Sequence, residues 1–392
     1  MDKCLLLSDA GRAMSRTRLS SKPLIAALAL LPSLAACGSS APDGPPPPSA
    51  ASLEALSDDP GAPDEQLARA IDVLFDDEEA VGDTRALVVM HAGQVAAERY
   101  GADYRPDTRF VSWSMAKSVT AVLIGMLVAD GKLALDDPVP LPNWRRPGDP
   151  RGEITLRHLL QMRSGLRHTE AGDPIFESDE VRMLFLDGRD DMAAYAEAQP
   201  LEAEAGAKFE YSSATSVVLA DLAARALAPE GNANARADAV SAYLSERLFD
   251  PLGMDSAVPE FDAAGTLIGG SLIHATARDW ARFGEFLRNG GSHRGSQLVP
   301  RSWIEAMTSA SPRSPDYGFQ LWLDSGEAEG RDVLFGGKSA PGTVAAVGHL
   351  GQYILVSPRQ KLTVVRLGKS TSEQRPELVE ALGELMDLYP AG

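Results

Sequence analysis

A hydroxyl and an amine three residues apart, in Ser114-Met115-Ala116-Lys117, are the strongest chemical signal in the chain. At that spacing on a helix the two side chains lie on one face, about one turn apart. A serine is a weak nucleophile until a base takes its proton, and a neutral lysine can be that base. Only eight of the 37 basic residues are lysines, so arginine carries most of the positive charge. Arginine keeps its proton inside a protein whereas a buried lysine can lose it, so a lysine at 117 is a chemical choice. A cation in the first helical turn opposes the macrodipole at a cost of roughly 0.3–1 kcal/mol. Such violations of local preference concentrate at functional sites. Dipole and burial together predict a lysine pKa below its ordinary value, favouring the free amine. The plainer alternative is that Ser112 or Ser114 caps the helix, and S-x-x-K in isolation is a weak signal.

Acyl transfer through serine also needs a second acid–base group, donors for the oxyanion and a strand to hold the substrate. Tyr211-Ser212-Ser213, ahead of an apolar helix, supplies the first: a tyrosine beside a lysine can ionise or relay a proton to a leaving group. Gly348-His349-Leu350-Gly351-Gln352 opens a late strand where glycine permits close backbone approach and a free amide can complete an oxyanion hole. Ser118 either bonds Lys117 or is an ordinary helix residue. His158 and His274 read as structural, and His349 is evenly balanced between packing and the site. Trp113 and Trp322 line a pocket or simply pack. Gly336-Gly337-Lys338-Ser339 tempts as a phosphate loop, but Asp332 stands where the motif needs glycine.

The elements that must position these groups are visible in the hydropathy pattern. Residues 86–90 and 95–100, separated by a Gly-containing turn, predict a β-hairpin. Residues 66–74 predict an amphipathic helix, and the acidic run at 76–79 a solvated helix end. Val119 to Val128 is apolar nearly all round, the mark of a helix buried at a domain centre, and it stops at Asp130-Gly131. Further helices are expected from a Thr155 cap through Met162, at 217–227, at 240–248, at 276–287 and at about 373–388. Strands are expected at 317–323, 343–347, 352–356 and 362–367. Strands at both ends with helices between predict an α+β fold whose antiparallel sheet collects both termini.

With 392 residues the chain can bury a large core. A formal charge of −18 argues against nucleic-acid binding. Cys4 and Cys37 are the two cysteines, too few for a disulfide framework or a cysteine metal site. Residues 1–36 read as a signal peptide, with a basic stretch at Arg16, Arg18 and Lys22 and an apolar stretch at 23–34 too short to span a membrane. Leu34-Ala35-Ala36-Cys37 resembles a bacterial lipobox, which implies lipidation of Cys37, with an ordinary secretory signal as the alternative. The true start is Met1 or Met14. Residues 37–64, rich in proline and serine, predict an extended tether. The expectation is an anchor in the bacterial cell envelope, at the periplasmic face of the outer membrane, carrying a folded domain over 65–390 with a helical lobe at about 138–262.

The ordered set Ser114-x-x-Lys117, Tyr211-Ser212-Ser213 and His349-Leu350-Gly351 resembles the serine β-lactamase and penicillin-binding protein superfamily. Phe110 to Ser118, Ile154 to Leu166, Asp250 to Met254, Ala275 to Gly284 and Tyr317 to Trp322 are similar to esterases of the class C β-lactamase type and to 6-aminohexanoate-dimer hydrolases. The resemblance implies an antiparallel sheet flanked by helices plus a helical lobe, with the site between them. It makes Ser114 the nucleophile, Lys117 its base and Tyr211 the second acid–base residue. The amides of Ser114 and Gln352 become the oxyanion hole, with Ser213, His349 and Gly351 on the substrate side. No metal or cofactor is implied. Ser213 stands where β-lactamases usually have asparagine, and His349-Leu350-Gly351 replaces the Lys-Thr-Gly that grips a β-lactam carboxylate. Both departures favour an ester or linear amide over antibiotics. The alternatives are D-alanyl peptidase or β-lactamase activity, and a non-catalytic cell-wall binding or sensor protein.

Overall fold

The computed structural model describes residues 44–327 and 333–392; the expected signal segment and Cys37 lie outside them. Among the described residues eleven strands form in chain order: β1 (Asp83–His91), β2 (Gln94–Tyr100), β3 (Arg109–Val111), β4 (Val258–Pro259), β5 (Ile273–Thr276), β6 (Ser292–His293), β7 (Ser296–Gln297), β8 (Trp322–Leu323), β9 (Val344–Gly348), β10 (Gln352–Ser357) and β11 (Leu362–Lys369). The main sheet runs β2-β1-β11-β10-β9-β8, with neighbours antiparallel. β1 pairs directly with β11, Val88 opposite Val365, so an early and a late strand meet inside the sheet. The β1–β2 turn puts Ala92 at φ 50° and Gly93 at φ 86°, the backbone of a tight hairpin turn.

Side-chain alternation divides β11 between two apolar layers. Val365 and Leu367 join the cluster formed around the Ala116–Ala129 and Ala277–Arg288 helices. Leu362 and Val364 join the cluster under the Asp64–Asp76 and Arg375–Asp387 helices. The Ala116–Ala129 helix is buried at every position from Ala116 to Leu127, as its all-round apolar sequence requires. β3, β5 and β4 make a small second sheet that ties the segment before Ser114 to residues 258–276.

Three expectations change. Residues 50–54 are helical, Ser49 bonds Asp72 and Leu56 bridges Ala97, so chain expected as tether up to residue 64 is docked on the domain. The expected strand at 317–323 shrinks to Trp322–Leu323. Gln320 there takes φ 53°, and its side-chain amide donates to the carbonyls of Leu159 and Leu160 while accepting from Ser216 Oγ. The helix expected to start at residue 217 begins four residues earlier, at Ser213, capped by the Ser212 hydroxyl.

Candidate active site

Ser114 sits on a one-turn 3-10 helix, Trp113–Met115, that feeds the Ala116–Ala129 helix. Neither Ser112 nor Ser114 caps it with a side-chain bond. Ser112 instead is fully buried and locks the turn to β5, accepting from the Ile273 amide at 3.1 Å and reaching the Ser271 carbonyl at 3.2 Å. Trp113, immediately before Ser114, has φ 44°, a strained conformation for an aromatic residue and one that clusters at active sites.

Lys117 is 1% exposed, and Nζ reaches three oxygens: Ser114 Oγ at 2.9 Å, Ser213 Oγ at 2.7 Å and the Gly270 carbonyl at 2.8 Å. An ammonium has three protons for these three partners. In the free amine, two N–H groups can keep Ser213 and Gly270 while the lone pair faces the Ser114 hydroxyl. The geometry of a base is therefore already in place. Its resting charge differs from the sequence expectation. Burial is the largest influence and pushes the pKa down, but the acidic groups packed round it, Tyr211, Glu170 and Glu180, outweigh burial and hold Lys117 above its ordinary value. The helix dipole and burial do not free this amine; it rests as the ammonium.

The charge that does this comes from residues the sequence did not single out. Glu170 accepts from Ser213 Oγ at 2.7 Å and from the Ser213 amide at 2.9 Å, and its Oε2 lies 2.6 Å from His168 Nε2. Burial pushes its pKa up, but His168, Lys117 and Ser213 more than offset that and bring it to about 2. Glu180, from the Asp179–Phe185 helix, accepts from Ser271 Oγ at 3.1 Å. Burial, then the charge of Glu170, pushes Glu180 up to about 7. His168, Glu170 and Glu180 bring potential ligand atoms within 4.8 Å of one another. Both Glu170 oxygens are already taken by Ser213 and His168, and a lysine ammonium bonds the same serine, so the cluster reads as a proton network rather than a cation site. No sequence pattern marks it, because His168 and Glu170 lie in a loop that matches no motif.

Tyr211 stacks on Trp322 at 5.4 Å and meets Tyr317 edge-on, with Lys117 Nζ 4.9 Å from its ring centre. Burial raises its phenol pKa despite Lys117, so it rests protonated. Ser118 does not reach Lys117; its hydroxyl donates to the Gln320 carbonyl at 2.8 Å. His158 serves in a capping box with Thr155, and His274 pairs with Glu260, both structural as expected.

The late glycine-bounded stretch needs reassignment. Gln352 lies on β10, an inner strand between β9 and β11, and its side-chain amide donates to the carbonyls of His349, Leu350 and Gly368. It knits the sheet together rather than facing Ser114. Gly351 takes φ 77° and its carbonyl accepts from Arg366, also a structural role. His349 does pack edge-on against Trp113 at 5.5 Å, and burial followed by Arg375 lowers its pKa. The strand that touches the turn carrying Ser114 is β9: a Cβ on Gly348 would lie 2.4 Å from the Ser112 carbonyl oxygen, so only glycine fits. The Asp324 amide donates to Thr343 O, which turns odd-numbered β9 residues toward the β8 edge. The register of β8 stops at Ala345, leaving Val347 with an edge-facing amide as the better oxyanion candidate.

A helix-flanked antiparallel sheet carrying these motifs defines a class of hydrolases. The chain belongs to the beta-lactamase family, whose model matches residues 76–384. It is 26% identical over 295 residues, 72% of each chain, to 6-aminohexanoate-dimer hydrolase of Paenarthrobacter ureafaciens. It is 31% identical over 193 residues to esterase EstB of Burkholderia gladioli, covering 44% of this chain and 46% of that one. Among solved structures, a penicillin-binding protein homologue from Caulobacter crescentus shares the fold with TM-score 0.59 at 18% identity, over 83% of this chain and 98% of that chain.

Proposed function

We propose that this protein is a serine hydrolase that forms an acyl-enzyme on Ser114 and acts on carboxylic esters or linear amides. The observation that carries the reading is Lys117 Nζ at 2.9 Å from Ser114 Oγ, with its other protons directed at fixed acceptors. Once Lys117 has given up its own proton, attack bonds Ser114 Oγ to the carbonyl carbon while the hydroxyl proton passes to the free amine. The oxyanion would be met by the Ser114 amide and an edge-facing amide of β9. Collapse expels the alcohol or amine, protonated by Lys117 or by the Tyr211 phenol, and water then repeats the sequence to release the acid. The substrate reading draws on the relatives named above and on two local features. Ser213 is occupied by Lys117 and Glu170, and His349, its pKa lowered, is no fixed cation for a β-lactam carboxylate. The same proposal places the domain on a lipid anchor at Cys37 in the cell envelope.

The test is covalent labelling with a fluorophosphonate probe read by intact mass. One adduct per chain is expected on the wild-type protein and none on Ser114→Ala. Equal labelling of the variant, or an unlabelled wild-type protein, refutes the reading. Turnover of short-chain esters and linear aminohexanoate amides, with no trapping by a fluorescent penicillin, is expected in parallel.

A further inference from the structure

Trp113 breaks two local rules at once. Its backbone sits at φ 44°, a region that glycine enters freely and a bulky side chain does not. The turn holds it there. On one side Ser112 Oγ accepts from the Ile273 amide at 3.1 Å, and on the other the Ser112 carbonyl oxygen meets Gly348 so closely that a Cβ there would lie 2.4 Å away. Glycine at 113 would take this backbone without strain, yet the chain places its largest kind of side chain on it.

That side chain does not fill the core. Of the five tryptophans, Trp144, Trp280 and Trp303 belong to one apolar layer and Trp322 packs against the other, whereas Trp113 joins neither. Trp144 and Trp303 direct their indole N–H groups to the Glu197 and Ala121 carbonyls; that of Trp113 meets no acceptor among the described residues. Its ring is half-buried and meets the ring of His349 edge-on, 5.5 Å away with the planes at 86°. His349 follows Gly348 directly, so the close approach of β9 to the turn also brings these two rings together. The His349 ring, its pKa lowered by burial and then by Arg375, is neutral near physiological pH. An edge-on pair of neutral rings leaves ring faces open to a third flat, apolar group. Strained backbone kept at such a place is the mark of a functional demand on the side chain.

We propose that Trp113, backed by His349, is a specificity-determining residue that holds the acyl part of the substrate, so that Ser114 takes esters and amides whose acyl group carries an aromatic ring. The role rests on the serine-hydrolase reading above and names the substrate class of that site. The acyl side follows from where the protons are. A leaving alcohol or amine has to face Lys117 and the Tyr211 phenol, which protonate it. Tyr211 stands among Trp322 and Tyr317, and no ring contact among the described residues joins that group to Trp113 or His349. The other substituent of the carbonyl, which stays on Ser114 Oγ in the acyl-enzyme, points to the Trp113 wall.

The experiment compares kcat/KM for two esters of one alcohol, nitrophenyl phenylacetate and nitrophenyl acetate, in wild type, Trp113→Ala, Trp113→Phe and Trp113→Gly. Wild type should favour the phenylacetate. Trp113→Ala should cut that preference by roughly 10–100-fold, the scale on which an apolar pocket discriminates, and Trp113→Phe should restore most of it. Benzyl acetate against ethyl acetate moves the ring to the alcohol, and that ratio should not follow residue 113. Trp113→Gly, which the turn accepts without strain, should behave as Trp113→Ala does and decides the matter should the alanine variant not fold. The proposal is overturned if both acyl esters fall by one factor, leaving their ratio unchanged, or if the lost preference follows the alcohol instead of the acid. A wild-type protein that neither turns over these esters nor takes the fluorophosphonate would defeat the reading of Ser114 itself, and this role with it.

Discussion

Glu197 ends the Met192–Glu197 helix with 4% of its surface exposed. Its Oε1 lies 3.5 Å from Arg225 Nη2 and makes no hydrogen bond. Burial and then the Asp221 charge push its pKa up to about 7. From its unfolded value near 4.5 up to about 7, the folded protein holds this proton more tightly than the unfolded chain. Stability therefore falls as pH rises through that window. Glu197→Gln keeps the shape and removes the titration. It is expected to leave stability unchanged near pH 4 and to raise it by up to about 3 kcal/mol above pH 7, measured by denaturant unfolding at both pH values. A gain of the same size at both would mean that packing, not charge, dominates. The same kind of burial explains what was legible at the residue scale. Ser114, Lys117 and Tyr211 announce themselves because spacing along one helix and one short motif encodes their meeting. Glu170 does not, because it reaches Lys117 only through Ser213, across the fold, and a lone glutamate in a loop has no pattern. The charge on Lys117 is invisible in the sequence for that reason.

At the scale of elements, the Ala116–Ala129 helix must hold Ser114 and Lys117 against the sheet, and its one glycine shows how tightly. A Cβ at Gly125 would lie 2.4 Å from Trp303 Nε1, which donates at 3.0 Å to the Ala121 carbonyl of the same helix. Alanine is the better helix former by about 1 kcal/mol, so propensity alone favours Gly125→Ala. The contact opposes it: the indole ring must move and its bond to Ala121 is strained. Overpacking of this kind costs about 1–3 kcal/mol, so after the propensity gain the variant is expected to be less stable by up to about 2 kcal/mol, read as a lowered melting temperature. A rise would show that Trp303 moves aside freely. Helices and strands with strong periodicity were legible because burial imposes period 3.6 or 2 on the sequence. Residues 317–321 read as strand from their apolar content, yet Gln320 turns the backbone and spends its side chain on the Leu159 and Leu160 carbonyls. Hydropathy has no view of such a polar tie.

At the scale of the whole molecule, the sheet closes the chain on itself, and the segment ahead of β1 belongs to that closure. Ser49 accepts from the Ser52 amide to cap a short helix and bonds Asp72. Arg99 on β2 reaches Ser52 at 2.8 Å and Asp72 at 3.1 Å. The Ser57 amide donates to Ala96 and the Glu98 amide to the Ala55 carbonyl, so residues 55–57 cover the outer edge of β2. An uncovered edge strand is a template for association with another chain. Composition made 37–64 read as tether throughout, since proline and serine dominate its start and a five-residue helix leaves little periodicity. Two truncations separate the readings. A chain beginning at residue 44 should keep the wild-type melting temperature and remain monodisperse in light scattering. A chain beginning at residue 64 loses five backbone and side-chain bonds to β2 and Asp72, each worth about 1 kcal/mol net. It should melt several degrees lower and self-associate through the bared β2 edge. If both chains behave alike, residues 49–57 add nothing to the fold and the tether does extend to residue 64.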